Sequence, residues 1–265
     1  NQPFFFARIF GNDNFGSQES ATASGDTNPT DIMMVLDLSG SMRSSGRIEA
    51  LWHSAPTFVD VIEQFGSASD EEEEKDQIGV MGLSGDPDGY DPVAEGHSGT
   101  LYSSGLHATA NHRVGVLEAR LTTNYDYLRD TVLSQANLEA RKYGGGTGTG
   151  AAIGDAAHYL EYSAETRDDV AKVIVLMSDG HANKPSGNGP GYARAMARYA
   201  AGLDVTIYTI SLGNDADLNL MQDIAEITGG NHFDATGSGW GTLTHQLTEA
   251  FKQAAADIKR VHLVK

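Results

Sequence analysis

Two runs of this chain, Ile32-Met33-Met34-Val35-Leu36 and Val173-Ile174-Val175-Leu176-Met177, are apolar at every position. A strand of that kind has no face for water, so helices must cover its sheet on both sides. Helical periodicity supplies them. Ile48, Leu51, Ala55, Phe58, Ile62 and Phe65 recur at intervals of three and four, the spacing of one helical face. Pro56 falls inside that stretch and should kink it, because proline removes a backbone donor.

The alternation continues along the chain. Strands are expected at 77–84, 113–122, 205–210 and around His232 and Phe233, with helices at 125–142, 151–162, 192–201, 218–227 and 242–258. This pattern predicts an α/β fold: a Rossmann-like, doubly wound, mostly parallel sheet with helices on both faces and one antiparallel edge strand. Ligands of such sheets sit beyond the carboxyl ends of the strands. No internal repeat is present.

A length of 265 residues suits one large domain with additions. Residues 1–30 open with Phe4, Phe5, Phe6, Ile9 and Phe10 and pass into a Gly/Ser/Thr/Asn linker, an aromatic arm ahead of the domain. The domain itself is expected over 31–235, interrupted by a polar insertion at 85–112. Residues 236–265 should add a helix and an edge strand, Val261–Val264, that pairs with the arm.

Acidic residues outnumber basic ones by 36 to 18, giving a formal net charge of −18. That balance argues against nucleic acid and anionic lipid as partners, both of which are held by clustered cations. Cysteine is absent, so disulfides and thiolate metal sites are excluded. No apolar run approaches the roughly 18 residues of a transmembrane helix. The first residue is Asn1, not Met, which leaves room for an upstream signal or anchor removed beforehand.

The chemistry concentrates at the end of the first apolar strand, in Asp37-Leu38-Ser39-Gly40-Ser41. Alternate positions at a strand end share a direction, and the glycine lets the chain curl, so one carboxylate and two hydroxyls can converge. Two further oxygens stand at equivalent switches from strand or turn to helix. Thr147 lies in the glycine turn 144–150, and Asp179 follows the strand 173–177. Hard oxygens in that number suit Mg2+, with Ca2+ and Mn2+ as alternatives.

Asp37, Ser39 and Ser41 in DLSGSM, Thr147 in GGGTGTG and Asp179 in LMSDGHAN resemble, in this order, the metal-ion-dependent adhesion site (MIDAS) of the von Willebrand factor A (VWA) family. The resemblance spans about Asp31 to Asp234. It implies that the serines and threonine bind the metal directly, that the aspartates act directly or through water, and that an acidic group of a protein partner completes the shell. Thr147 is preferred to its neighbour Thr149 by the family's usual interval before the helix. The opening Phe-rich segment resembles the piece before the A domain in TadG-like proteins of tight-adherence pilus assembly. That implies a bacterial cell-envelope or surface protein with a role in adhesion or pilus assembly, not an enzyme.

Other signals are weaker. The glycines at 144–154 lack the Gly-Lys-Ser/Thr ending of a phosphate loop. Asp86, Asp88 and Asp91 depart from an EF-hand spacing and read as a turn. His97, His107 and His112 show no zinc-ligand interval and are expected at the surface, whereas His181 could stand on the rim of the metal face. A magnesium phosphatase with Asp37 as nucleophile would want a second carboxylate at position 39, which is serine. The remaining alternative is a filament subunit that self-assembles through its terminal strands.

Overall fold

A computed structural model describes residues 29–65, 74–84, 99–107, 115–237 and 239–262. The aromatic arm, the acidic run as far as Glu73, the carboxylates at 86–91, and His97 and His112 lie outside the described residues.

In chain order the elements are β1 (Thr30–Asp37), α1 (Arg47–Phe65), β2 (Gln77–Leu83), β3 (Thr100–Tyr102), β4 (Gly115–Thr122), α2 (Thr149–Tyr162), β5 (Ala171–Ser178), α3 (Gly189–Ala201), β6 (Val205–Leu212), α4 (Leu218–Thr228), β7 (His232–Ala235) and α5 (Trp240–His262). One sheet of seven strands runs β3-β4-β2-β1-β5-β6-β7. Five of its strands are parallel neighbours in series, and β4 runs against β2 and β3 at one edge. The expected α/β architecture, mostly parallel with an antiparallel edge, is the one observed, the reversed strand β4 standing one place in from the outermost β3.

Every residue of β1 is buried, which explains why its sequence does not alternate. Ile32, Met34 and Leu36 pack with α1 and α5, including Phe58 and Phe251, whose rings meet edge to face. Met33 and Val35 point the other way, into a second core with Ala152, Ala156, Ala193 and Ile224 of α2, α3 and α4. The helix α1 continues through Pro56 to Phe65.

Two sequence expectations are corrected. The helix expected over 125–142 stops at Val132 after one turn of α-helix and one of π-helix. Turns then carry the chain to a buried carboxylate on β4: Glu118 accepts from Asn137 at 3.1 Å and from Lys142 Nζ at 2.8 Å, and also receives the Tyr143 hydroxyl. Satisfying that buried charge outweighs helical propensity. At the other end, Val261 and His262 prolong α5, so no strand begins there. The last three residues lie outside the described set.

The α5 helix binds both ends of the sheet. Buried Lys259 pairs with buried Asp76, which also accepts from the Thr30 amide at 2.9 Å where β1 begins. Trp240, at the opposite end, lies against Gly46 in the loop that follows Ser41. Among the described residues, no helix is long and apolar enough to cross a membrane. Because Phe58 is fully buried between β1 and α5, Phe58→Ala should cost about 3–5 kcal/mol, read as a lower urea midpoint at unchanged slope.

Candidate metal centre

Sheet order reverses direction around β1. The chain leaves β1 for β2 on one side, while β5 and β6 extend the sheet on the other. At such a switch point the loops after adjacent strands diverge and leave a crevice at the carboxyl edge. Asp37 ends β1 and Ser178 ends β5, and the pairing of Leu36 with Met177 sets them side by side.

Asp37 is fully buried and has both oxygens engaged. The Ser39 amide donates to Oδ1 at 2.8 Å, and the Ser178 hydroxyl donates to Oδ2 at 2.5 Å. Ser39 Oγ lies 3.0 Å from Ser41 Oγ, and Ser41 Oγ donates to Asp179 Oδ1 at 2.7 Å. A continuous chain of oxygens thus links the loop after β1 to the loop after β5.

Thr147 arrives from the glycine turn before α2. Its amide donates to Asn183 Oδ1 at 2.9 Å, and its carbonyl accepts from the Asn183 amide at 3.0 Å, fixing this turn to the segment beyond Asp179. A methyl group placed on Gly180 would lie 3.5 Å from Ser41 Oγ and 3.9 Å from Thr147 Oγ1. The two hydroxyls therefore border one small space, kept open because residue 180 has no side chain. Thr149 has no atom within 4 Å of that point and is buried as the first residue of α2. Asp37, Ser39, Ser41, Thr147 and Asp179, distant in sequence, converge on one locality.

The electrostatics are unbalanced. Burial, then the facing Asp179 charge, pushes the Asp37 carboxyl up to about 7 against the hydrogen bonds from Ser178 and Ser39. Burial also raises Asp179, opposed by hydrogen bonds and charge from Ser41 and Arg47. Two carboxylates that burial would rather neutralise, bordered by hydroxyls, form a donor set that fits a hard divalent cation.

Arg47 was not singled out by the sequence. Its Nη1 donates to Asp179 Oδ2 at 2.8 Å, and its Nη2 pairs with the exposed Asp215. Burial works against the guanidinium charge, but Asp215 and Asp179 outweigh it and raise its pKa. The available signal was a cation at the first residue of a buried helix, where the helix dipole disfavours it. Gly213, with φ of 77°, supplies the close approach that Arg47 needs from the loop after β6.

The histidines divide. His181, next in sequence to Gly180, is largely exposed, with Nδ1 3.2 Å from Asp217 Oδ2. His107 is not at the surface. Its Nε2 lies 3.0 Å from buried Asp155, its Nδ1 meets the Tyr192 hydroxyl, and Ser104 Oγ donates to the same Asp155 oxygen at 2.5 Å. That network fastens residues 99–107 to α2 and α3, which is why a polar insertion holds a buried imidazole.

The family model described as von Willebrand factor type A domain matches residues 108–250, more than half of the chain. No curated protein matches at the level of sequence. Solved structures do share the fold. A von Willebrand factor type A protein from Catenulispora acidiphila is 15% identical with a TM-score of 0.54, over 86% of this chain and 43% of that one. Proximal thread matrix protein 1 from the mussel byssus, with a zinc-occupied MIDAS motif, is 16% identical with a TM-score of 0.55, over 87% and 47%. The pilus adhesin SpaC from Lactobacillus rhamnosus GG, in its open conformation, is 14% identical with a TM-score of 0.54, over 87% and 30%. The chain spans less than half the length of each of these proteins, and likeness at such identity speaks for the fold alone.

Removing one partner of a buried ion pair strands the other. Arg47→Ala should therefore destabilise the fold by about 3–5 kcal/mol at neutral pH in the presence of chelator, measured by urea denaturation, with Arg47→Lys falling between it and the wild type.

Proposed function

This chain belongs to the von Willebrand factor type A domain family, and we propose that it binds a protein partner through a divalent cation held by Asp37, Ser39, Ser41, Thr147 and Asp179. The observation that carries this reading is the convergence of Ser41 and Thr147 over Gly180, beside two buried carboxylates. Mg2+ is the first choice because the donors are hard oxygens and few of them are charged. When bound, the ion supplies an electrophilic position for a carboxylate of the partner.

The chain's own residues set the stage for that contact. Ser178 and the Ser39 amide hold the Asp37 carboxylate in a fixed orientation. Arg47 holds Asp179 and keeps its charge from being stranded. Asn183 positions the Thr147 turn. Because position 39 is a hydroxyl and not an acid, the strand end lacks the acid/base that aspartyl phosphotransfer requires, and the reading is one of binding and not of catalysis. The named likenesses to a pilus adhesin and a byssus matrix protein support a place at the cell envelope or surface, in adhesion or pilus-type assembly.

The test is a pulldown from envelope extract with Mg2+ against chelator, comparing the wild type with Asp37→Ala and Asp179→Ala. Partners retained by the wild type only in Mg2+, and by neither variant, are the expected result; partners retained equally in chelator would refute the metal bridge. Titrated Mg2+ should stabilise the wild type by about 2.7 kcal/mol at a hundred times its Kd.

Gly180→Ala offers a gentler probe. Its methyl would make only ordinary van der Waals contacts, so stability in chelator should change by no more than about 0.5 kcal/mol. The same methyl occupies the space between Ser41 and Thr147, so the Mg2+-induced rise in Tm should shrink.

A further inference from the structure

We propose that Arg141 is a second anchor for the partner, holding another carboxylate of an acidic segment beside the one at the cation; this rests on the metal-bridged reading above. Arg141 lies against the two loops that build the centre. Its Cγ is 3.6 Å from the position a Cβ on Gly40 would take, and its Nη2 and Nε are 3.5 and 3.6 Å from the corresponding position on Gly145. Gly40 separates the two site serines, and the Gly40 amide donates to the Gly145 carbonyl at 3.4 Å, so the guanidinium stands at the seam of the Ser39–Ser41 and Gly144–Thr147 loops.

Charge makes this position unusual. In a chain of net charge −18, arginines on the surface tend to find acids nearby. Arg120 pairs with Glu165, Arg129 with Asp60, Glu63 and Asp126, Arg194 with Asp223, and Arg260 with Asp257. Among the described residues, three exposed arginines form no ion pair: Arg198 on α3, Arg141, and Arg43 at the end of the turn that holds Ser41. Two uncommitted guanidiniums thus flank the candidate centre.

The backbone is also arranged for it. Arg141 has φ of 67°, a left-handed conformation that non-glycine residues rarely adopt, and its amide is fixed by the Leu38 carbonyl at 2.8 Å, directly behind the DxSxS loop. Glycine would suit this turn better on conformational grounds. A planar guanidinium with a fork of donors matches a carboxylate, and charge-assisted pairing of that kind is strong. An acidic polypeptide with carboxylates a few residues apart is the partner that would use both anchors.

Arg141→Gly tests the idea because it removes the guanidinium while relaxing the left-handed turn. The probes are tetraglutamate and a Gly-Glu-Gly peptide, each titrated into Mg2+-loaded protein by calorimetry, with Mg2+ binding measured separately. The wild type should bind tetraglutamate more tightly than Gly-Glu-Gly. Arg141→Gly should lower tetraglutamate affinity roughly tenfold, leave Gly-Glu-Gly and Mg2+ affinity unchanged and keep or raise Tm, and Arg141→Lys should restore part of the loss. Equal tetraglutamate affinity in wild type and Arg141→Gly, or no preference for tetraglutamate in the wild type, overturns the second anchor while normal Mg2+ binding leaves the metal-bridged reading intact. Absence of Mg2+ binding in the wild type overturns both.

Discussion

Two carboxylates buried side by side at the end of a parallel sheet are the costliest feature of this molecule, and much of the surrounding structure serves them. Neither Asp37 nor Asp179 has access to water. A buried carboxylate is tolerable only when its lone pairs are met and its charge is opposed. Ser178, Ser41 and the Ser39 amide do the first, and Arg47 does the second for one of the pair. The demands spread outwards: Arg47 must enter between Asp179 and Asp215, which Gly213 permits by carrying no side chain at a left-handed turn.

The sheet makes that expense local. From Ile32 to Leu36 the side chains of β1 are apolar, alternating between the core under α1 and α5 and the core under α2, α3 and α4. At the carboxyl edge, where strands end and loops diverge, several polar atoms can be gathered in one place. The α5 helix then clamps the frame at two levels, through Lys259 and Asp76 near the start of β1 and through Trp240 against Gly46 beside the site loop. Rigidity at the carboxyl edge is needed because three separate loops must present oxygens to one place.

Much of this was legible in the sequence. Doubly apolar runs marked the central strands, a run at intervals of three and four marked α1, and the DxSxS string with Thr147 and Asp179 marked the residues that the fold gathers. What stayed hidden were contacts that depend on tertiary partners. Lys142 and Tyr143 read as the end of a helix because nothing local says that Glu118 waits for them on β4. His107 looked solvent-bound among Gly, Ser and Asp because its partner Asp155 sits on a helix 48 positions away. Arg47 was invisible for the same reason, its two acids lying 132 and 168 positions on. Periodicity reports which face a residue occupies, and it cannot report which buried charge it must answer.

The choice of hydroxyls over further acids decides what such a centre can do. With both carboxylates ionised, Asp37 and Asp179 against Arg47 leave the pocket with one net negative charge, since Asp215 is solvated and largely screened. In the metal-bridged reading a divalent ion reverses that sign and leaves the site positive by one. Replacing Ser39, Ser41 or Thr147 with a carboxylate would cancel the surplus, tightening the hold on the ion while removing its attraction for an anionic partner. Neutral donors therefore serve recognition better than affinity. On an acidic surface, where repulsion would otherwise keep another acidic chain away, the small local excess of positive charge that a bound ion would bring, extended by exposed Arg43 and Arg141, would set this face apart.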